Sequence, residues 1–423
     1  MRRLLALVSV FAMAVAACGD DSPATTGPGT VAPATTEGAV TTEAPTTTAA
    51  PVTTAAPVTS VTTTPEPEPP LAIDSRPRAA VPWGTVDDTW ALILFSTAPG
   101  FGGAEPIGEQ VVIAYLVDPD GLPYEIARWP AGDGPYGIYD VRPDGQRALL
   151  VPGVGNPLLL DLPSGELIPL PCPAEAMYFG FTRPSGRDYL TLTYDGEVAM
   201  YSSDGAFMRT LGDFREEEDY HFGPQQPWVF APDGLGLVVN GELGPAYKDN
   251  RGNHLADLAV PGEELCQALS WWDDVNVLVR CLAAGDPIDV FQLWVVDSQG
   301  EFPPLPVTES DEGVEEGMEL AWAGFVHAIP TGGDVILQGW LEVGSGWSPI
   351  YKLVQGVPVA LGDEVAGELV AAGQGTFMSH LLGCCGEVYG ALIVFDHDGN
   401  ELARLDAPDG YRGVIAARGV GAP

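Results

Sequence analysis

Positive charge is what this chain has least of. Lys occurs twice, at Lys248 and Lys352, and Lys plus Arg total 18 against 58 Asp plus Glu, a net charge of -40. A surface that acidic repels phosphate backbones, so no nucleic-acid partner is expected. Solubility explains the excess, and a cation-attracting surface is the sharper alternative. Helical periodicity is missing from Trp83 onward. Also missing are a Gly-x-Ser-x-Gly elbow around Ser345, a phosphate-binding glycine loop, a His-Glu-x-x-His pair and any Cys-x-x-Cys. The five histidines (His221, His254, His327, His380 and His397) are scattered, and each reads as an ordinary surface or core residue. No catalytic residue, resident metal or cofactor is therefore assigned. Asp396-His397-Asp398-Gly399-Asn400 lacks the later acid and terminal Glu of a calcium loop and reads as a turn. Divalent-cation ligands are offered only by the acidic runs Glu216–Asp219 and Glu309–Glu319.

What is present begins at the N-terminus. Arg2 and Arg3 precede an apolar run from Leu4 to Val15, followed by Ala16-Ala17-Cys18. The run falls short of the ~20 residues that span a bilayer. The charged start, short apolar stretch and small residues together form an export signal. With Cys directly after the small residues, the segment resembles the lipobox of bacterial lipoproteins, with Val15 where Leu is commoner. The resemblance implies a signal peptide over 1–17, cleavage before Cys18 and a lipid on its thiol. It thereby implies a protein lipid-anchored to the cell membrane on its extracytoplasmic side, where two acyl chains hold stably.

Residues 18–82 supply the tether. From Ser22 to Pro70 the chain is almost wholly Thr, Ala, Pro, Val and Gly. Such composition buries no core and reads as a disordered, Pro-stiffened stalk. Fully extended, it reaches on the order of 150 Å.

Beyond Cys18 the cysteines are Cys172, Cys266, Cys281, Cys384 and Cys385. An exported chain meets oxidising conditions, so disulfides are expected. If Asp273-Asp274 is a two-residue hairpin turn, Cys266 and Cys281 stand opposite each other and are expected to bond. Cys384 and Cys385 could join as neighbours, or one could reach Cys172; the odd count leaves one thiol over.

Residues 83–423 are organised by repetition. An apolar strand, a polar turn ending in glycine and a second strand recur at Gly121, Gly165, Gly205, Gly252, Gly300, Gly356 and Gly399, spaced 40 to 56 residues apart. That period, with several strands per unit, predicts an all-β, seven-bladed β-propeller. A second turn precedes some of these, as in Arg142-Pro143-Asp144-Gly145, Arg183-Pro184-Ser185-Gly186 and Ala231-Pro232-Asp233-Gly234. These residues resemble the Ser-Pro-Asp-Gly turns of TolB-type, WD-repeat-like propellers, a likeness that covers about half the domain and bears on fold alone. The first repeat is one strand short, and Gly413–Arg418 is one strand too many. The C-terminal strand is therefore expected to close the ring as the innermost strand of the first blade.

Strand alternation puts all the glycine turns on one face. Longer connections fall on the other, which is expected to point away from the membrane and to bind. There the candidates are Trp347 for stacking on a sugar, and Glu216, Asp219, His221, Glu309 and Asp311 as polar ligand contacts. The expected function is a non-enzymatic binding or scaffolding module for an envelope protein, peptide or glycan. The alternative is a hydrolase or lyase using carboxylates of this outward face on a glycan or peptide.

Overall fold

The computed structural model describes residues 73–100, 109–131, 134–152, 156–171, 176–193, 195–213, 227–241, 244–282, 291–300, 302–307, 325–331, 334–339, 348–355, 357–362, 365–381, 390–408 and 410–421. Seven sheets, antiparallel but for one outer strand of the first, form a propeller ring with almost no helix. Blades 2 to 7 begin at Gly137, Ala176, Trp228, Glu264, Phe325 and Glu368, and each has four strands in chain order from the axis outward. Among the described residues no helix is long and apolar enough to cross a membrane.

Blade 1 shows why such strands form. Ala91–Pro99 and Val111–Val117 are buried at almost every position, because a neighbouring blade covers each face. Alternate side chains go opposite ways. Leu92, Leu94, Ala114 and Leu116 pack with Val141, Ala148 and Leu150 of blade 2. Ile93, Phe95, Ile113 and Tyr115 pack with Val370, Met378 and Leu392 of blade 7. Each such Leu, Ile, Val, Phe or Met side chain contributes roughly 1.5–3 kcal/mol on burial. Outer strands differ: Glu166–Pro169 is mostly exposed, in keeping with its charged and proline residues.

Closure follows the expected path. Tyr411–Gly419 pairs antiparallel with Ala91–Pro99, with Ala91 opposite Gly419 and Leu94 opposite Ala416. The same strand is bonded to blade 7, where Gly390 N–H donates to Arg412 O and Val414 N–H to Gly390 O, both at 2.8 Å. Blade 1 also gains an outer fifth strand. Arg76–Pro77 pairs in parallel with Tyr124 and Glu125, and a short 3-10 turn over Arg78–Ala80 follows. These residues lie within the segment read as stalk.

The recurring turns have a common chemistry. Asp118, Asp249, Asp297 and Asp396 each accept backbone N–H bonds from residues two to five positions on, through the side-chain carboxylate. The glycine three residues later has positive φ, for example +83° at Gly121 and Gly399, where only glycine avoids strain. Ser202 plays the Asp part in blade 3. Gly356 lies outside the described residues.

Blade 5 departs from expectation at its first hairpin. Asp273-Asp274 is not a two-residue turn: Trp272 N–H donates to Asn276 O, so Asp273, Asp274 and Val275 fill the loop. Asp273 is held by its carboxylate to Val275, Asn276 and the Asn276 amide, which favours the wider turn. A β-bulge between Ala268 and Ser270 then returns the ladder to the register in which Gln267 faces Arg280. Cys266 and Cys281 are bonded there, with Cα atoms 4.0 Å apart.

Candidate functional site

The innermost strands carry few charges, and those few converge. Arg418 of blade 1 feels the charges of Asp140 in blade 2 and Glu368 in blade 7, together with the Tyr178 phenol of blade 3. His327 of blade 6 in turn lies within the field of Arg418 and Glu368. Five inner strands thus direct titratable groups toward one axis. Asp140 is 4% exposed, His327 8% exposed, and Tyr178 half-buried. The Glu368 side chain keeps 40% of its surface open, so solvent reaches the axis at that level.

Most of these groups also fasten one blade to the next. Asp140 Oδ2 accepts from Phe181 N–H at 2.7 Å and from Arg183 Nη1 at 3.2 Å, while Arg183 Nη2 donates to Oδ1 at 3.0 Å. The pair joins blades 2 and 3, and the Arg183 guanidinium lies 5.3 Å from the Phe230 ring centre of blade 4. Asn240 grips the next blade through both atoms of its amide: Oδ1 accepts from Ala268 N–H at 2.8 Å and Nδ2 donates to Ala268 O at 3.1 Å. Blade 6 divides that task between two residues. Gln338 Oε1 accepts from Leu369 N–H at 2.9 Å, and His327 Nδ1 faces Leu369 O at 3.1 Å. His380 of blade 7 reaches Val414 O at 3.0 Å through Nε2.

These contacts assign protons. A ring nitrogen facing a carbonyl must donate, so His327 carries its proton on Nδ1 and leaves the Nε2 lone pair bare. Burial, then the nearby Arg418 charge, push the His327 pKa down to about 4, so the ring is neutral near pH 7. His327 Nε2 is buried without a hydrogen-bond partner. Burial alone would raise the Glu368 pKa, but the nearby His380 ring, its Nδ1 3.9 Å away, and the charge of Arg418 outweigh it and hold the carboxyl below its usual range. Burial likewise raises the Tyr178 phenol. Chemically, the cluster offers one fixed cation, carboxylates, and one neutral imidazole acceptor. Among the described residues no set of three His, Cys, Asp or Glu is arranged to hold a metal ion.

The residues singled out from sequence are not among those of the axial cluster that the structure describes. Trp347, Glu216, Asp219, His221, Glu309 and Asp311 are all outside the described residues, as are Cys18, Cys172, Cys384 and Cys385. Trp271 is core, edge-on to Tyr247 at 5.5 Å, and Trp272 is half-buried against blade 6. The carboxylate of Asp396 bonds its own turn, through Asp398 N–H, Asn400 N–H and the Asn400 amide. Sequence reasoning missed the axial cluster altogether. The signal available was a single titratable residue inside an otherwise apolar inner strand, as in Gly137-Ile138-Tyr139-Asp140-Val141.

No protein-family model matches the chain, and no curated protein matches it. Among solved structures it is similar to a dihydro-heme d1 dehydrogenase, NirN, in complex with DHE (14% identity over 82% of this chain and 78% of that one, TM-score 0.45). It is also similar to BamB from Moraxella catarrhalis (13%, 75% and 83%, TM-score 0.38) and to a TolB protein from Agrobacterium tumefaciens (16%, 68% and 86%, TM-score 0.35).

Proposed function

We propose that this chain is an extracytoplasmic, lipid-anchored binding module whose propeller presents its longer connections to an envelope protein, peptide or glycan. The observation that carries the reading is the set of inter-blade fasteners. Asp140, Asn240, Gln338, His327 and His380 each bond the inner strand of the next blade, so the ring resists splaying. A ring held that way keeps the strand ends from which its connections spring at fixed spacing, which suits recognition with little rearrangement. The signal segment over 1–17, with Cys18 next in the chain, supplies the address. The bond between Cys266 and Cys281 suits an oxidising compartment.

Two experiments test this. Photo-crosslinkers placed at Tyr136, in the link between blades 1 and 2, and at Ser203, in a glycine turn, report contacts in intact cells. Tyr136 should capture an envelope component and Ser203 should not; no capture above background at either site refutes the reading. Cys18→Ser should move the protein from the membrane fraction to the soluble one, and retention on the membrane would break the anchor assignment.

A second reading, a hydrolase or lyase, is favoured by the axial cluster, where a neutral imidazole stands near a fixed guanidinium. Its weakness is that His327 Nε2 is sealed from solvent. Turnover of a wall glycan or peptide that His327→Gln abolishes would establish it.

A further inference from the structure

On the outer rim, where the chain enters blade 1, lies an open groove of about 730 Å³. Ser75, Arg76, Arg78, Trp83, Glu125 and Pro163 line it. Its charge runs against the rest of the molecule. Arg128, Arg147, Arg183 and Arg404 face carboxylates at 3.0, 3.9, 3.0 and 2.6 Å, and Arg142 faces Asp144. Arg76 and Arg78 form no ion pair among the described residues. Glu125, the one acid in the lining, is already held in a two-pronged bond by Arg128, at 3.2 and 3.0 Å. Two unneutralised guanidiniums two residues apart, in a chain of net charge -40, make a local positive site.

The site is also built. Arg78 Nη1 donates to Ile126 O at 3.0 Å, which fixes the guanidinium while most of its five N–H donors remain available. Gly165 of blade 2 makes room for it, since a Cβ there would sit 2.0 Å from Arg78 Nη1. Trp83 packs against the core between blades 1 and 2 and stays half-buried, a fixed aromatic wall.

We propose that this groove binds an anionic saccharide, a sugar bearing carboxylate or phosphate. The guanidiniums recognise the anion with charge-assisted bonds. Trp83 offers its ring to the apolar face of a sugar, and Ser75 and Glu125 serve its hydroxyls. At about 730 Å³ the groove is far larger than a bare phosphate needs. The inference rests on the binding-module reading and gives it a ligand class, at a place distinct from the loop face.

Titration calorimetry on the full chain tests it with four probes of matched length: a uronic-acid tetrasaccharide, a phosphorylated tetrasaccharide, a neutral tetrasaccharide and tetraglutamate. At least one charged sugar should bind, at least about tenfold more tightly than the neutral sugar or the peptide. The stronger of the two identifies carboxylate or phosphate as the anion. Arg76→Gln, at an exposed position, should weaken that binding about tenfold with no change in melting temperature. Trp83→Leu should weaken it as well. The inference is overturned if neither charged sugar binds, if tetraglutamate or the neutral sugar binds equally well, or if Arg76→Gln leaves affinity unchanged. Failure here with capture still seen at Tyr136 removes only this site; failure of both removes the module reading too.

Discussion

Blade 1 and blade 5 complete the same four-strand pattern by opposite means. Blade 1 takes its inner strand, Tyr411–Gly419, from the far end of the domain and adds Arg76–Pro77 outside, so chain segments more than three hundred residues apart meet in one sheet. Blade 5 is entirely local, yet its outermost strand is only Leu305–Pro306, and a covalent bond joins its two inner strands. Where a blade is sealed on both edges by distant strands, packing suffices. Where the outer edge is thin, the crosslink limits what the unfolded segment can explore.

The largest effect is expected from breaking blade 1. A chain ending at Pro408 loses the strand paired to Ala91–Pro99 and uncovers strands that are buried at nearly every position. The cooperative melt should disappear from thermal scans, because the loss exceeds the roughly 5–15 kcal/mol that holds a domain together. A preserved sharp transition would show that the ring does not depend on closure.

Next comes the Asp140–Arg183 pair, with side chains 5% and 8% exposed. Asp140→Ala should cost about 3–5 kcal/mol by leaving a buried guanidinium without its partner. The double variant with Arg183→Leu should cost less than the two single changes combined, as denaturant midpoints would reveal. In blade 5, replacing both Cys266 and Cys281 with Ala should cost about 3 kcal/mol, given a separation of 15 residues. That variant should keep the native circular dichroism spectrum, unlike the truncated chain.

His327 sharpens the contrast between blades through pH. Its folded pKa, about 4, lies below the unfolded value of 6.5. The unfolded chain therefore gains a proton first as pH falls. Stability is intact above pH 6.5 and declines between 6.5 and about 4, by on the order of 3 kcal/mol in all. His327→Asn should flatten that slope, measured by chemical unfolding at pH 7.0, 6.0 and 5.0. The smallest effect is expected at the exposed Glu401–Arg404 pair, where Glu401→Gln should shift stability by less than about 1 kcal/mol.

Turn chemistry makes the ring legible in the sequence. Asp118, Asp249, Asp297 and Asp396 are short-range devices, each bonding residues within five positions, so local spacing records them. Closure was legible for a different reason: a surplus strand at one end matched a deficit at the other. The wider turn at Asp273–Val275 was not legible, because the bulge near Leu269 cancels its extra residue and leaves the cysteine register unchanged. The axial cluster was hidden by distance along the chain. Asp140, Tyr178, His327, Glu368 and Arg418 have no fixed spacing, and each looks like an isolated polar residue until the ring curves them together. The rim groove was hidden because Arg76 and Arg78 fall inside residues 18–82, the segment assigned to the tether.

Tyr411–Gly419 leaves the ribosome after every other strand of the propeller. Until then blade 1 has an open seam, and the growing chain is an arc with a raw edge at each end. A product cut short before this segment would carry six blades' worth of hairpins and no stable circle, an easy target for proteases.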